Sequence, residues 1–487
     1  MTKTEPKKLP WSASRLLVVL VPQALLCLLS AAALFQVSKA SYFHVDESDW
    51  ATESKYISGL LLGGDFDLQK WRSRSTDFGE LNPNLGKYII GIPAYLQGLA
   101  GPQVTYDWRY KLNDNVKRGA LPSRAEIMNW RAPVIIFGVV ALLLVYHILL
   151  WLTGRSLIAF FGAFGVMLGQ QFIFITTYLL MDIFYVCALL GLVLWCKRLQ
   201  GMESKGSCYR WALAAGALTA AGASVKIVAT PVMAPLAAAM LAVWCWEHRA
   251  GWAPWLKGMA IFTGTWAVLL YACSPQWWTD FMAIDRAALG EEIQQIRQEG
   301  VDWDQYLAAR HDARQPYLDH YPQLTNVTRP LEYLVSFPRF EKTLARQIKN
   351  GPKYTGSRPL GVMGDLFVRK NGNWITPFVF PLMLLGVVAA AARMGRGLKQ
   401  GVVRYPEIAL LLMAAALWAF LVATMPFPSG RFFAPGKVLV IIFAAYGLHV
   451  LVLLLHGGLF KALAEKPKTT EETGAEASPA PAAEAAE

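Results

Sequence analysis

The chain has 487 residues, of which 55% are hydrophobic and only 16% charged, and its mean hydropathy is +0.33. A soluble domain carries roughly 25% charged residues, so the composition excludes an ordinary soluble globular protein and points to lipid-exposed helices. The net charge of +12 is accounted for below by membrane topology, with no nucleic-acid partner required.

Residues 1–14 form a basic N-terminus that opens MTKTEPKK. The run LLVVLVPQALLCLLSAAALFQV follows Arg15 and ends near Lys39. Its length is about the 20 residues a helix needs to span the hydrocarbon core. It is too long for a signal-peptide core and lacks a small-residue cleavage site, so a retained transmembrane helix is expected over 15–37. A first long loop, 38–130, follows and begins with FHVDESDW at 43–50. Asp46, Glu47 and Asp49 crowd together there, with His44 just before them. Ser48 or Asp49 suits the N-cap of a helix over WATESKYISGLL, which would leave the other acids for another purpose. A solvated loop is an equally plain reading, and the functional one is a general base held at the lipid–water boundary. Farther on, LGKYIIGIPAYLQGLAG at 85–101 is apolar but short and rich in Gly and Pro, so an interfacial or re-entrant helix is expected.

A window of about 19 residues finds further spans over 132–152, 157–175, 181–197, 210–225, 227–246, 258–274, 375–393, 407–425 and 435–456. Gln170, Gln171, Thr176 and Thr177 mark a polar turn before Asp182. The membrane blocks are thus 131–274 and 374–456, separated by a second long loop over 275–373. Six cysteines, at 27, 187, 196, 208, 245 and 273, lie mostly in or beside the apolar runs with no CxxC pair, and read as small core residues. The end of the chain, 457–487, finishes TTEETGAEASPAPAAEAAE, an acidic Ala/Pro-rich tail that cannot bury enough apolar area to fold.

Lys and Arg set the orientation. They crowd the N-terminus, CKRLQGMESKGSCYR at 196–210, EHRAGWAPWLKG at 247–258, RMGRGLKQGVVR at 393–404 and the stretch after Phe460. With about ten spans, all of these and both termini fall on one side, the cytoplasmic one. The two long loops then lie on the outer face. No nucleotide sugar is present there, and neither a P-loop nor a GxGxxG opening a helix after a strand occurs in the sequence. An enzyme facing outward must draw its activated donor from the bilayer. In the second loop, Trp277 and Trp278 read as an interfacial anchor or as a sugar-stacking pair. His311 and His320 lie among acids, but scattered loop histidines of this kind seldom bind a metal, so none is expected.

Six motifs in order carry a resemblance. The Asp46-Glu47 pair follows the first helix, and NPNLGKYIIG at 82–91 resembles an H-P-P-L-x-K stretch, with Asn82-Pro83-Asn84 in place of His-Pro-Pro. NWRAPVIIFG at 129–138, TTYLLMDIFY at 176–185 and GALTAAGASVK at 216–226 follow, and SGRFFAPGKVLVIIFAAYGL at 429–448 resembles an R-Y-x-x-P segment opening a last span. Over 15–280 and 425–450 the chain resembles the protein O-mannosyltransferase and aminoarabinose transferase group of the GT-C glycosyltransferase superfamily. The resemblance implies an all-α polytopic GT-C bundle of about ten transmembrane helices with two long outer loops. It implies transfer of a sugar from a polyprenyl phosphate to a protein, lipid or glycan acceptor on the outer face. The lipid-linked sugar donor is then the co-substrate, no other cofactor is implied, and metal dependence is left open. It implies Asp46 as general base, with Glu47 orienting the acceptor or sharing that role. Arg431 would fork the lipid phosphate, with Lys87, Arg131 and Lys226 as further donor-binding cations, and Asn82, Asp182, Trp277 and Trp278 as supporting residues. The cellular setting it implies is the bacterial inner membrane. A transporter or flippase for a lipid-linked sugar is the alternative, but it calls for paired repeats, and 15–245 and 258–456 show none.

Overall fold

The computed structural model describes residues 13–41, 43–44, 46–54, 57, 62–63, 84–99, 112–121, 123–273, 376–424 and 433–457. Every regular element among them is helical. Asn82, Trp277, Trp278 and Arg431, all of the second long loop and the acidic tail lie outside the described residues.

Helix α1 (Ala13–Ala40) has 28 residues and runs about 42 Å at 1.5 Å per residue. Three short helices follow: α2 (Asp46–Glu53), α3 (Leu85–Leu96) and α4 (Leu112–Lys117). Helix α5 (Arg124–Thr153) starts from a capping box in which Ser123 Oγ accepts from the Glu126 N–H and Glu126 accepts from the Ser123 N–H. It stops where Gly154 takes a left-handed conformation, φ 64°. Next come α6 (Ser156–Met167), α7 (Gln170–Thr177), α8 (Asp182–Trp195), α9 (Lys205–Ala223), α10 (Thr230–Glu247) and α11 (Trp252–Ala272). After the second loop come α12 (Thr376–Lys399), α13 (Tyr405–Thr424) and α14 (Ala434–Gly457).

A helix or a bent helix pair lies over each apolar run, and the expectation of an all-α polytopic membrane protein is met. Among the described residues six helices, α1, α5, α10, α12, α13 and α14, are long and apolar enough to cross a membrane. The pair α6 and α7 adds a seventh if it is one span bent by 69°. The polar residues Gln170, Gln171, Thr176 and Thr177 lie in α7, so the turn expected there is instead a break before it, followed by a second break ahead of Asp182. Helix α8 has 14 residues, about 21 Å, and a 3-10 helix over Cys196–Gly201 continues it by about 12 Å. Helix α9 is built from Ala, Gly, Ser and Thr, which give it little hydropathy but let its neighbours approach closely. A Cβ on Gly216 would come within 2.6 Å of the Phe262 carbonyl oxygen in α11. The tightest crossing joins α12 and α14. A Cβ on Gly386 would meet the Phe443 oxygen at 2.0 Å, and one on Gly447 would meet the Leu382 oxygen at 1.9 Å. Only glycine permits two backbones to touch in this way.

The helix ends sort into two layers. At one end the basic loops join: Tyr405 donates to Glu247, Trp244 Nε1 donates to the Met202 oxygen at 2.9 Å, and Arg393 pairs with Glu407 at 4.0 Å. At the other, Ser38 Oγ donates to the Thr177 oxygen at 2.9 Å and the Leu85 N–H to the Ser224 oxygen at 3.0 Å. Helix α3, twelve residues long, tucks into this second end and buries Gly86, Lys87, Tyr88, Ile90, Gly91 and Ala94. All six cysteines are free, and Cys187, Cys196, Cys208 and Cys245 are buried.

Candidate active site

The acidic cluster expected in a loop or at an N-cap is helical from Asp46 onward. Ser48 is therefore inside α2, where its hydroxyl donates to the Ala120 carbonyl. The physical reason is charge: carboxylates in a first turn sit well against the positive end of the helix dipole. The Glu47 N–H closes the turn onto the His44 carbonyl at 2.9 Å.

Glu47 and Asp46, adjacent in sequence, have different surroundings. The Glu47 carboxylate is wholly enclosed and accepts from four donors. Arg131 Nε reaches Oε1 and Nη2 reaches Oε2, both at 2.7 Å; the Leu179 N–H reaches Oε1 at 2.7 Å and the His44 N–H reaches Oε2 at 2.8 Å. Arg131 in turn donates from Nη1 to the Ser38 oxygen at 2.6 Å, and its guanidinium lies 5.2 Å from the centre of the Tyr178 ring. One bidentate pair thus ties the end of α1, the start of α2, the second turn of α5 and the α7–α8 turn. The Asp46 side chain keeps 16% exposure, with Oδ2 4.0 Å from His44 Nδ1. His44 is 28% exposed, and its ring is held edge-on to Phe174 at 5.4 Å and tilted to Tyr178 at 5.6 Å.

Two more acid–base pairs adjoin. Lys87 lies 3.6 Å from Glu53 with both side chains fully enclosed, and its ammonium donates to Asn84 Oδ1 at 2.9 Å. Lys226 pairs with Asp182, and these side chains are 19% and 6% exposed. Gly86 brings the two pairs together: a Cβ there would come within 2.5 Å of Met181 Sδ and 3.6 Å of Val225 Cγ1. Burial holds the neighbouring Tyr88 phenol well above its usual range, so it stays protonated. Among the described residues no group of three or more His, Cys, Asp or Glu side chains is arranged to hold a metal ion.

Five of the expected site residues thus stand at one end of the bundle with Asp46: Glu47, Lys87, Arg131, Asp182 and Lys226. Of the cations, Lys226 reaches the surface, while Arg131 and Lys87 are enclosed, at 2% and 0% exposure. Glu53 was not singled out from the sequence, and His44 and Asn84 were noted there without a role. A signal was present for Asn84, whose i,i+3 spacing to Lys87 places the two on one helix face.

Residues 71–271 match the family model described as dolichyl-phosphate-mannose-protein mannosyltransferase. The resemblance to the protein mannosyltransferases drawn from the motifs is met over that stretch. The part matched to the mannosyltransferases includes Lys87, Arg131, Asp182 and Lys226, while Asp46 and Glu47 precede it. Among curated proteins none matches in sequence. Among solved structures the chain is similar to the oligosaccharyltransferase of Archaeoglobus fulgidus in its apo form, with 13% identity, a TM-score of 0.48 and coverage of 93% of this chain and 52% of that one. The chain therefore spans about half the length of that protein. It is also similar to ArnT from Cupriavidus metallidurans bound to undecaprenyl phosphate, with 13% identity, a TM-score of 0.35 and coverage of 89% of this chain and 79% of that one.

Proposed function

We propose that this chain is a membrane glycosyltransferase that moves a sugar from a polyprenyl-phosphate donor to a protein, lipid or glycan acceptor on the outer face of the membrane. The observation that carries the reading is the division of labour between Asp46 and Glu47. Glu47 has four donors on its two oxygens and is enclosed, so it orders the site. Asp46, next to it, reaches solvent and is placed to meet an acceptor. The match to dolichyl-phosphate-mannose-dependent enzymes supports a lipid phosphate as the sugar carrier.

The chemistry follows from these roles. Asp46 takes the acceptor's proton as the acceptor attacks the anomeric carbon. The bond from that carbon to the phosphate oxygen breaks, and the lipid phosphate leaves with the electron pair. Its developing charge requires cations. Lys226, the exposed member of the described pairs, is one; Arg431, with its bidentate fork, is assigned as the other on sequence grounds. One direct displacement inverts the anomeric carbon. The clustering of Lys and Arg in the short loops supports a reading with both termini in the cytoplasm and this end of the bundle outside, the membrane being taken as a bacterial inner membrane.

The test is a transfer assay with the purified protein in vesicles and a panel of labelled polyprenyl-phosphate sugars. Label appearing on an acceptor with inverted configuration supports the reading. Label that crosses the bilayer while still attached to its lipid would overturn it in favour of a carrier.

A further inference from the structure

We propose that the enclosed Glu53–Lys87 pair is a positioning device that fixes Asp46 relative to Lys226, and that Lys87 is not a ligand of the donor. The inference rests on the roles assigned above to Asp46 and Lys226.

Helix α2 has eight residues and is about 12 Å long, so it is too short to hold its own direction. Its first turn is fixed by Glu47, through Arg131 and Leu179. Its last residue is Glu53, which faces Lys87 at 3.6 Å. The contact between helices is direct there. Gly91 lies one turn beyond Lys87 on the same face of α3, and a Cβ on it would stand 2.4 Å from the Ser54 carbonyl oxygen. Helix α3 is itself tied down at its start, where the Leu85 N–H donates to the Ser224 oxygen and Gly86 lies against Met181 and Val225. Met181 and Val225 are the chain neighbours of Asp182 and Lys226. A continuous line of contacts therefore runs from Lys226 through α3, across the Glu53–Lys87 pair, into α2 and on to Asp46.

The same geometry argues against a donor role for Lys87. Its side chain has no exposed surface, and its ammonium already faces Glu53 and Asn84. A phosphate brought to it would meet the Glu53 carboxylate on the same cation. Lys226 has no such enclosure.

The experiment uses the full-length protein in lipid nanodiscs and the variants Glu53→Gln, Lys87→Met and the double variant Glu53→Leu/Lys87→Met. Each single change leaves one enclosed charge without its partner, whereas replacing a buried pair by apolar residues of similar size is often tolerated. The expected result is that each single change lowers the melting temperature. Each also lowers kcat by up to about 100-fold through misplacement of the base, with the donor KM held within about twofold. The double variant should regain the melting temperature and most of kcat. A donor KM raised by Lys87→Met and still raised in the double variant would overturn the inference and make Lys87 a ligand. If a single variant does not fold, the KM of the double variant decides. Single variants that behave as wild type, or a double variant that melts as low as they do, would also overturn it. A wild-type protein with no transfer from any polyprenyl-phosphate sugar refutes the proposed function instead, and the melting temperatures still judge the pair.

Discussion

Replacing each neighbouring acid by its amide separates order from chemistry at this site. Glu47→Gln keeps the shape but leaves one acceptor oxygen where two had served four donors at 2.7–2.8 Å. Two hydrogen bonds are lost, an NH₂ group faces N–H groups, and the Arg131 guanidinium keeps its charge in a site where it is 2% exposed. Hydrogen bonds to charged groups are worth about 1.5–3 kcal/mol each, so two give about 3–6 kcal/mol. Removing one partner of a buried ion pair costs about 3–5 kcal/mol, the same scale. Asp46→Asn keeps the shape of a partly exposed group and removes one first-turn charge, which costs about 0.3–1 kcal/mol. Its effect should fall on chemistry, with transfer reduced by about 100-fold or more, as for loss of a general base. The assay pairs thermal unfolding in detergent micelles with single-turnover transfer. Glu47→Gln should melt well below wild type and Asp46→Asn beside it. A Glu47→Gln protein that melts with wild type would refute the ordering role, and near-wild-type turnover in Asp46→Asn would move the base elsewhere.

Other outcomes follow from the same reasoning. Arg431→Lys keeps the charge but loses the planar fork, so donor KM should rise and turnover fall in steady-state kinetics; full activity would remove Arg431 from the site. Gly447→Ala places a methyl 1.9 Å from the Leu382 carbonyl oxygen, a backbone atom that cannot turn aside, and should lower thermal stability by about 1–3 kcal/mol or more. Gly395→Ala, where a Cβ meets nothing within 4 Å, is the control and should melt with wild type. Deleting the tail after Lys468 should leave transfer rates unchanged in the purified truncation, and lost activity would mean that the tail docks onto something.

The membrane helices were legible because apolar runs report burial in lipid directly, and the sorting of Lys and Arg gave the two ends of the bundle. The boundaries near the site were less so. Helix α8 turns to 3-10 geometry at Cys196, and α2 begins two residues before the Ser48 cap expected from propensity. The difference between Asp46 and Glu47 could not be read at all. It depends on Arg131, 84 residues away, and on Leu179, 132 residues away, and no local period encodes such distances. The sequence pointed to Lys87 as a cation but not to its confinement, because Glu53 has nothing in its own neighbourhood to mark it as a partner.

Synthesis order gives the Arg131–Glu47 bond a further meaning. Glu47 emerges from the ribosome 84 residues ahead of its partner, which at about 5–20 residues per second is a delay of roughly 4–17 seconds. During that interval Arg131 has not been made, although Lys87 emerges about halfway through it, and the Glu47 carboxylate stays hydrated. Leu179 arrives later still, 132 residues behind Glu47. The surroundings of Asp46 are therefore completed only when α5 and the α7–α8 turn have joined the bundle. A nascent chain carries the acid through the synthesis of α5, α6 and α7 without the geometry around it, and that geometry can close only once the α7–α8 turn has been made.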